Sequence, residues 1–429
     1  MSVSITDAKS AELYARALQR LPGGVNSPVR AMRAIGRDPI FIDRAEGAEL
    51  FDVDGNRYVD YVCSWGPLIH GHAQADIVEA VVTAARRGTS YGAPTAGEVD
   101  LADEVARRFP SVEMLRMTSS GTEASMSAIR LARAVTGRTK LLKFAGAYHG
   151  HVDGLLAQAG SGLATAGIPA SPGVPESATH ETVIVGWNDG EAVATAFAEH
   201  EFAAVIAEPY PANMGLVPPV EGFLELLRHK ADDNGALLIF DEVITGFRVA
   251  AGGAQEREGI AADLTVMGKI IGGGLPAAAY GGSRALMDNI APAGDVYQAG
   301  TLSGNPLAVA AGLATLRMLD DAAYIRLSAT TEALAAGLRD AAAGAGVPVA
   351  VNAVPGLLTI FFAETAPRDY AGAQACDHEA YAAFCRALLA RGVYPPASQY
   401  EAWFPSLAHT SEHLDRTLDA VNAAFAELS

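Results

Sequence analysis

The sequence has few cysteines, no long apolar run and too little positive charge to balance its acidic side chains. The three cysteines, Cys63, Cys376 and Cys385, are odd in number and widely spread, so they indicate no disulfide framework. No apolar run approaches the roughly 20 residues that a transmembrane helix needs. The 429 residues carry a formal net charge of -18, which argues against nucleic acid and anionic membranes as partners, because both bind basic surfaces.

Patterns typical of export, nicotinamide chemistry and metal binding are also missing or incomplete. The N-terminal stretch MSVSITDAKSAELYARALQR lacks the basic-then-apolar order of a signal peptide. The stretch GSGLATAG lacks the glycine order of a dinucleotide fingerprint, which disfavours a nicotinamide-dependent oxidoreductase. The pairs His70/His72 and His149/His151 have no third ligand at suitable spacing, so we expect no metal. We expect a soluble, cytoplasmic protein.

Strand-like runs alternate with amphipathic helical stretches through the middle of the chain, which predicts an α/β fold with a mostly parallel central sheet. The predicted strands are Met114–Met117, Lys140–Phe144, Thr182–Val185, Ala203–Ala207, Leu237–Phe240 and Leu264–Met267.

The remaining pattern predicts three parts. Residues 1–65 form an N-terminal segment with an antiparallel hairpin around Asp54 and Gly55, residues 66–310 a large α/β domain, and residues 311–429 a small α+β domain. Residues 159–175 are rich in Gly, Ala, Ser and Pro, and a loop of that length favours a functional lid.

Polar residues follow the ends of the predicted strands, namely Ser120, Tyr148, Glu208, Asp241 and Lys269. Open parallel sheets bind ligands at the carboxyl ends of their strands. We therefore expect one crevice to collect these five side chains. Taken singly, each has a plainer interpretation, such as a helix cap for Ser120 or Asp241 and a solvated strand-end lysine for Lys269.

The stretch MTSSGTEASM predicts a strand, a tight turn and a helix start. Ser120 and Glu123 have the spacing of a capping box, and Gly121 allows close approach of the backbone to a ligand. Because the first N–H groups of a helix are unpaired, this turn is suited to binding a phosphate.

Lys269 lies directly after an apolar strand, one crossover beyond Asp241. A desolvated lysine has a lowered pKa, which leaves part of its amine uncharged and nucleophilic towards a carbonyl. A carboxylate facing such a lysine, together with a phosphate seat and an aromatic ring at Tyr148, describes a pyridoxal phosphate site. Asp241 would keep the pyridine nitrogen protonated, and Lys269 would form the Schiff base and transfer protons.

With these residues in place, the chain resembles the class III, fold type I pyridoxal phosphate enzymes, and within them the aminomutases. The resemblance spans almost the whole chain. It rests on LPGGVNSPVRAM (21–32), SWGPLIHGH (64–72), SSGTEASMSAIRLAR (119–133), YHGHVDGLL (148–156), FDEVITGFRVA (240–250), MGKIIGGGLP (267–276), VYQAGTLSGNPLA (296–308) and SQYEAWFPSLAHT (398–410).

The resemblance implies a site for pyridoxal phosphate and pyridoxamine phosphate, with Lys269, Asp241 and Tyr148 as catalytic residues. The residues that it assigns to the cofactor's phosphate, ring, nitrogen, hydroxyl side and aldehyde are Ser120, Gly121, Thr122, Tyr148, Val243, Asp241, Glu208, Asn213 and Lys269. Gly300 and Thr301 would reach the phosphate of the neighbouring subunit's cofactor, which implies a homodimer with shared active sites.

For the substrate, the resemblance implies capture of the carboxylate by Arg30, with Ser27 and Trp65 beside it, and approach of Glu401 to the amine. Ser161 would belong to a gating loop that ends at Gly167. Without the resemblance, Arg30 and Glu401 could each be ordinary surface residues.

The implied reaction is intramolecular amino transfer from (S)-4-amino-5-oxopentanoate to 5-aminolevulinate in tetrapyrrole synthesis, with the substrate handed over by an upstream glutamyl-tRNA reductase. An intermolecular class III aminotransferase for a β- or ω-amino acid would share every cofactor residue. A non-catalytic binding protein on the same fold is a further alternative, disfavoured by intact Lys269 and Asp241.

Overall fold

The computed structural model describes residues 5–158, 165–166 and 168–428. Its α-helices are, in chain order, α1 Ala8–Ala17, α2 Ala75–Ala85, α3 Ala96–Arg108, α4 Gly121–Thr136, α5 Glu176–Thr179, α6 Gly190–Glu199, α7 Phe223–Asn234, α8 Gly253–Glu258, α9 Arg284–Met287, α10 Pro306–Arg317, α11 Asp321–Ala345, α12 Tyr370–Gln374, α13 His378–Leu389 and α14 Ser411–Leu428.

The β-strands form one main sheet and smaller ones. They are β1 Ile42–Glu46, β2 Glu49–Asp52, β3 Arg57–Asp60, β4 Met114–Thr118, β5 Lys140–Phe144, β6 Ala157–Gln158, β7 Thr165–Ala166, β8 Ile168–Pro169, β9 Thr182–Val185, β10 Phe202–Ala207, β11 Leu237–Asp241, β12 Leu264–Met267, β13 Ala278–Gly282, β14 Ala350–Val354, β15 Leu357–Phe361 and β16 Val393–Tyr394.

The main sheet has the strand order β4-β13-β12-β11-β10-β5-β9-β7. Neighbours from β12 to β9 pair parallel, whereas β13 lies antiparallel between β12 and β4. Two successive reversals leave β4 pointing the same way as β12. The carboxyl ends of β4, β5, β10, β11 and β12 therefore meet at one edge. The predicted α/β class with a mostly parallel central sheet is confirmed.

All strands predicted from the sequence are present, and the bounds of β5, β9 and β12 are the predicted ones. The prediction missed β13, because its sequence AAYGG is rich in small residues that are poor strand formers. The structure explains the glycines. A Cβ at Gly281 would lie 2.6 Å from the carbonyl oxygen of Met114, and one at Gly282 would lie 2.3 Å from that of Asp263.

Helices cover both faces of the main sheet, because alternate side chains of its strands point to opposite sides. On one face Ile239 packs in a cluster with Ala128 and Leu131 of α4. On the other face Leu238 and Phe240 pack with side chains of α6 and α7. Burial on both faces accounts for the continuously apolar strands.

The two ends of the chain share a second sheet in the order β1-β2-β3-β16. Strands β2 and β3 pair antiparallel on either side of Asp54 and Gly55, and β16 pairs parallel with β3. Tyr61 and Trp403 belong to one apolar core, with ring centroids 5.2 Å apart. The boundaries proposed at residues 65 and 310 stay a prediction. Within the part of the chain that the structure describes, no helix is long and apolar enough to cross a membrane.

Candidate active site

A cavity of about 370 Å³ opens at the carboxyl edge of the main sheet. It brings together the five strand-end residues of the sequence analysis and several neighbours. The predicted residues that line it are Ser120, Gly121, Thr122, Tyr148, Glu208, Asn213, Asp241, Val243 and Lys269. Side chains from separate elements converge here because the strands that carry them run in one direction.

One end of the cavity is formed by the start of α4. Ser120 is the N-cap residue, and its Oγ accepts a hydrogen bond of 3.3 Å from the backbone N–H of Glu123. The Glu123 carboxylate accepts one of 2.7 Å from the backbone N–H of Ser119. Ser120 is therefore a helix cap as well as a lining residue. The first N–H groups of the helix, at Gly121 and Thr122, have no intrahelical acceptor and are available to an anion.

The wall beside this helix start is closely packed around Val243. A Cβ on Gly121 would lie 3.2 Å from one methyl group of Val243, and a Cβ on Gly268 would lie 3.1 Å from the other. Both contacts are tighter than ordinary packing, so side chains at either glycine would push Val243 into the cavity. The pair of glycines keeps this wall flat.

Asp241 ends β11 inside the cavity with both carboxylate oxygens engaged. Its Oδ2 lies 2.8 Å from Nδ1 of His149, and its Oδ1 accepts a hydrogen bond of 3.1 Å from the N–H of Val243. Because a carboxylate only accepts, Nδ1 of His149 is the donor. His149 is 1% exposed, and its Nε2 is buried with no partner among the described residues. The pair fixes the direction of the Asp241 carboxylate.

Glu208 links the ends of β5 and β10. Its Oε1 accepts a hydrogen bond of 2.8 Å from the N–H of Tyr148. Its Oε2 accepts from the N–H of Ala212 at 3.2 Å and from Nδ2 of Asn213 at 2.9 Å. Burial raises the pKa of Glu208. Tyr148 itself stays 50% exposed, with one face of its side chain open to the cavity.

Lys269 has a left-handed backbone conformation, with φ of 51°, and is separated from the end of β12 by Gly268. This conformation is uncommon for a residue with a Cβ and points to a functional constraint. Burial lowers the pKa of the Lys269 amine, while the carboxylates of Asp241, Glu208 and Glu401 act in the opposite direction. The lowered pKa favours the uncharged, nucleophilic form of the amine relative to an exposed lysine.

Glu401, predicted to meet the substrate amine, lies within electrostatic reach of this lysine. Its pKa is raised to about 7, mainly by burial, with Lys269 lowering it and Glu208 raising it. A carboxyl group with that pKa changes charge near neutral pH. Such a group can bind an ammonium ion or exchange a proton during turnover.

Comparison with known proteins agrees with this geometry. A family model described as Aminotransferase class-III matches residues 32–425. The chain belongs to the class-III aminotransferase family. It is 56% identical over 420 residues to a glutamate-1-semialdehyde 2,1-aminomutase from Desulforudis audaxviator, covering 97% of each protein.

Solved class-III structures show the same fold. An omega-transaminase from Sphaerobacter thermophilus is 34% identical with a TM-score of 0.91, covering 97% of this chain and 96% of that one. A transaminase with PLP bound is 34% identical with a TM-score of 0.89, covering 99% of both chains. The cofactor of this class-III aminotransferase is pyridoxal 5'-phosphate, with pyridoxamine phosphate as its aminated form.

The residues present fit that cofactor. The cavity volume lies in the range of small-molecule sites. The start of α4 offers N–H groups to a phosphate, the glycines beside Val243 leave room for a flat ring, and the Asp241 carboxylate can pair with a protonated ring nitrogen. Lys269 supplies the amine for covalent attachment.

Two of the predicted substrate residues, Arg30 and Trp65, lie apart from this cavity. Arg30 and Trp65 line a second cavity of about 460 Å³. It adjoins the first, because the next residue, Gly66, lies against Lys269, with 3.4 Å between a Cβ placed there and Cδ of the lysine. No described residue forms an ion pair with Arg30, so its guanidinium is free for a ligand. Ser27 is half-buried on the same N-terminal segment.

Ser27 and Glu401 line neither cavity. Three further predicted residues are also not assigned to either cavity. Gly300 and Thr301 are exposed and line neither cavity. Ser161 lies outside the described residues, as does most of the predicted gating loop that ends at Gly167. The assignments of all three stay predictions.

His149 is a cavity-lining residue whose contact with Asp241 the sequence analysis missed, since it was considered only as half of a metal-type pair. No cluster of three or more His, Cys, Asp or Glu side chains in the described part of the chain could hold a metal ion. His72 instead lies 2.7 Å from Asp60. Its position in the sequence could have indicated that His149 lies at the site, because it directly follows Tyr148, one of the strand-end residues.

We predict that His149→Gln weakens pyridoxal phosphate binding about tenfold to a hundredfold. A hydrogen bond to a charged group is worth about 1.5–3 kcal/mol, and its loss leaves the Asp241 carboxylate less well oriented. Fluorescence titration of the cofactor-free protein measures the dissociation constant.

His151→Gln is the matched control, since His151 is the exposed member of the same pair. Its dissociation constant should equal that of the unmodified protein. Equal binding by both variants would show that His149 does not support Asp241.

Proposed function

We propose that the protein catalyses intramolecular amino transfer, converting (S)-4-amino-5-oxopentanoate (glutamate 1-semialdehyde) to 5-aminolevulinate in tetrapyrrole synthesis. The observation that carries the chemistry is the desolvated Lys269 amine facing Asp241 in a cavity that fits the cofactor. The substrate is that of glutamate-1-semialdehyde 2,1-aminomutases, which are 52–56% identical to this chain over nearly its whole length.

Within this reaction the chain's own residues hold the reactants and move protons. When bound, the cofactor supplies the exchangeable amino group and a ring that accepts the electron pair of a broken C–H bond. Asp241 keeps a proton at the ring nitrogen, which strengthens that electron withdrawal. The Nζ atom of Lys269 would act as general base and acid in the proton shift between a substrate carbon and the cofactor.

Arg30 supplies the anchor for the substrate carboxylate. Its guanidinium is exposed at the second cavity and has no ion-pair partner among the described residues. A planar guanidinium binds a carboxylate through two parallel hydrogen bonds, which fixes orientation as well as position. Trp65 lines the same cavity and can cover the aliphatic part of a short substrate.

An intermolecular aminotransferase is the second candidate. The observation that favours it is the 34% identity and TM-score of 0.91 to an omega-transaminase. The two reactions share the cofactor chemistry and differ in stoichiometry. An aminomutase needs no external amino acceptor, whereas a transaminase stops after half a cycle without one.

The deciding experiment gives the purified protein glutamate 1-semialdehyde alone. We expect 5-aminolevulinate to accumulate through many turnovers. Lys269→Ala should lose at least about a hundredfold in turnover, because positioned proton transfer contributes about 10²–10⁴-fold, and should lack the absorption band of lysine-bound cofactor. Product limited to a single half-cycle per site would identify a transaminase instead.

A pH dependence follows from Glu401. Its carboxyl group is neutral below a pKa of about 7 and anionic above it, and only the anion attracts a substrate ammonium group. We therefore predict that KM falls as the pH rises through about 7. The Glu401→Gln variant keeps the shape of the side chain and removes its charge. Its KM should therefore be higher than that of the unmodified protein and should change little with pH near 7. If KM of the Glu401→Gln variant had the same pH dependence as that of the unmodified protein, Glu401 would not bind the substrate.

We further propose a homodimer with shared active sites. Helix α2, which lies wholly within the described residues, buries none of its side chains, although Ile77, Val78, Val81 and Val82 form an apolar groove. Tyr297 is 71% exposed and Leu302 is 52% exposed beside Thr301. Because apolar patches of this kind are typical of interfaces, a second copy of the chain is the partner that would cover them.

A mixed dimer tests whether Thr301 serves the partner's site. Thr301→Glu places negative charge against a phosphate, and Lys269→Ala removes the amine, so each variant alone should be inactive. A dimer of one subunit of each kind should regain activity, since one site then has Lys269 from one chain and intact Thr301 from the other. If Thr301 served its own chain's cavity, the mixture would stay inactive.

Three further expectations about partners, gating and location stay predictions. These are handover of the substrate from a glutamyl-tRNA reductase, gating by the loop that contains Ser161, and residence in the cytoplasm.

A further inference from the structure

A buried guanidinium lies behind the active site with no carboxylate partner. Arg248 is 1% exposed, and no described residue forms an ion pair with it. Its Nη1 donates to the carbonyl oxygens of Gly356 at 3.1 Å and Pro405 at 3.5 Å, and its Nη2 donates to that of Gly66. Burying a charge that only carbonyl groups stabilise is costly. Such an arrangement needs a compensating function.

The three carbonyl groups belong to segments that are far apart in sequence. Gly66 precedes the cavity-lining Pro67, whereas Gly356 and Pro405 lie in the last part of the chain. The Phe404 ring lies 5.2 Å from the guanidinium carbon. Gly356 has φ of 74°, and a Cβ there would lie 3.0 Å from Cγ of Arg248. The guanidinium thus cross-links segments that converge on one side of the active site.

The segment that ends at Gly66 has an unusual backbone. Cys63, Ser64 and Trp65 have positive φ values of 44°, 58° and 68°, followed by Gly66 at 111°. Left-handed residues with a Cβ cost free energy, and consecutive ones persist only where the surroundings hold them. At the start of this run the Asp60 carboxylate accepts from the N–H groups of Val62 at 2.8 Å and Cys63 at 3.1 Å.

At the end of the run Arg248 binds the Gly66 carbonyl. Gly66 fills the space between Phe404 and Lys269, since a Cβ there would lie 2.8 Å from the Phe404 ring and 3.4 Å from Cδ of Lys269. A clamp on this carbonyl therefore fixes Trp65, on the wall of the second cavity, relative to Lys269.

The charge of Arg248 also acts on Lys269. The groups that face the lysine are the carboxylates of Asp241, Glu208 and Glu401, which raise the pKa of its amine, and the guanidinium of Arg248, which lowers it. Arginine keeps its proton under conditions where lysine can lose it. The guanidinium of Arg248 therefore favours the uncharged form of the lysine, against the three carboxylates. Cys63 and Tyr324 are the titratable groups near Arg248 itself.

We propose that Arg248 is a positioning residue that clamps residues 63–66 against Lys269 and provides the fixed positive charge beside its amine. The inference rests on the proposed function for the role of Lys269. It assigns to Arg248 two separable contributions, one from its forked hydrogen bonds and one from its charge.

Two variants separate these contributions. Arg248→Gln keeps a short hydrogen-bonding side chain and removes the charge, whereas Arg248→Lys keeps the charge and removes the fork. Arg257→Gln is the control, since Arg257 is another arginine of the same region, partly exposed and placed over Tyr210.

The measurement is the pH midpoint of the absorbance change of lysine-bound cofactor in protein loaded with pyridoxal phosphate. Loss of a neighbouring positive charge favours the protonated form, so Arg248→Gln should raise the midpoint by about one pH unit. Arg248→Lys and Arg257→Gln should leave it close to that of the unmodified protein. An unchanged midpoint in Arg248→Gln, or an equal rise in Arg248→Lys, would overturn the charge contribution.

The near-ultraviolet circular dichroism signal of Trp65 tests whether Arg248 fixes the position of residues 63–66. The near-ultraviolet circular dichroism of Arg248→Lys should lose the contribution that Trp65→Phe removes from the unmodified protein. An unaltered spectrum would overturn the clamp, and this variant tests it even if Arg248→Gln fails to fold. If the protein failed the semialdehyde assay while the midpoint moved as expected, the substrate assignment alone would be wrong.

Discussion

The active site depends on one electrostatic constraint, which is an amine buried beside three carboxylates at the edge of a parallel sheet. An isolated ammonium ion in that place would cost several kcal/mol. Asp241, Glu208 and Glu401 offset part of this cost, and burial together with Arg248 opposes them. The net result is a lowered pKa for the Lys269 amine, which makes the uncharged form easier to reach than in an exposed lysine. A lysine paired tightly with one carboxylate would stay protonated and could not attack a carbonyl.

Several backbone features place Lys269 and its neighbours around one cavity. Strand β13 lies antiparallel between β4 and β12, so these two strands run in the same direction. Helix α4, which follows β4, therefore begins on the same sheet edge as Lys269. The left-handed conformation at Lys269 turns the chain shortly after β12. Glycines at 121 and 268 keep the wall at Val243 flat. Each feature has a local cost, and together they leave a space shaped for a flat, anionic ring.

The sequence predicted the parts that depend on short-range pattern. Apolar runs located the parallel strands, and the polar residue after each strand located the cavity, because strand direction alone places those residues together. It could not predict His149 as the partner of Asp241 or Arg248 as the clamp on Gly66. Those roles arise from contacts between segments far apart in the chain. Strand β13 was missed for a related reason, since its glycines are explained only by the neighbouring backbone that they approach.

The division between the two cavities explains how one scaffold can serve different reactions. The cofactor residues lie on strand ends and on the start of α4, which are held by the core. Arg30, Trp65 and Thr301 lie on segments outside the main sheet, where sequence can change without disturbing the core. Relatives that share the fold at 34% identity are transaminases, whereas those at 52–56% are aminomutases. The cofactor site is shared, and in the proposed assignment the outer segments select the substrate.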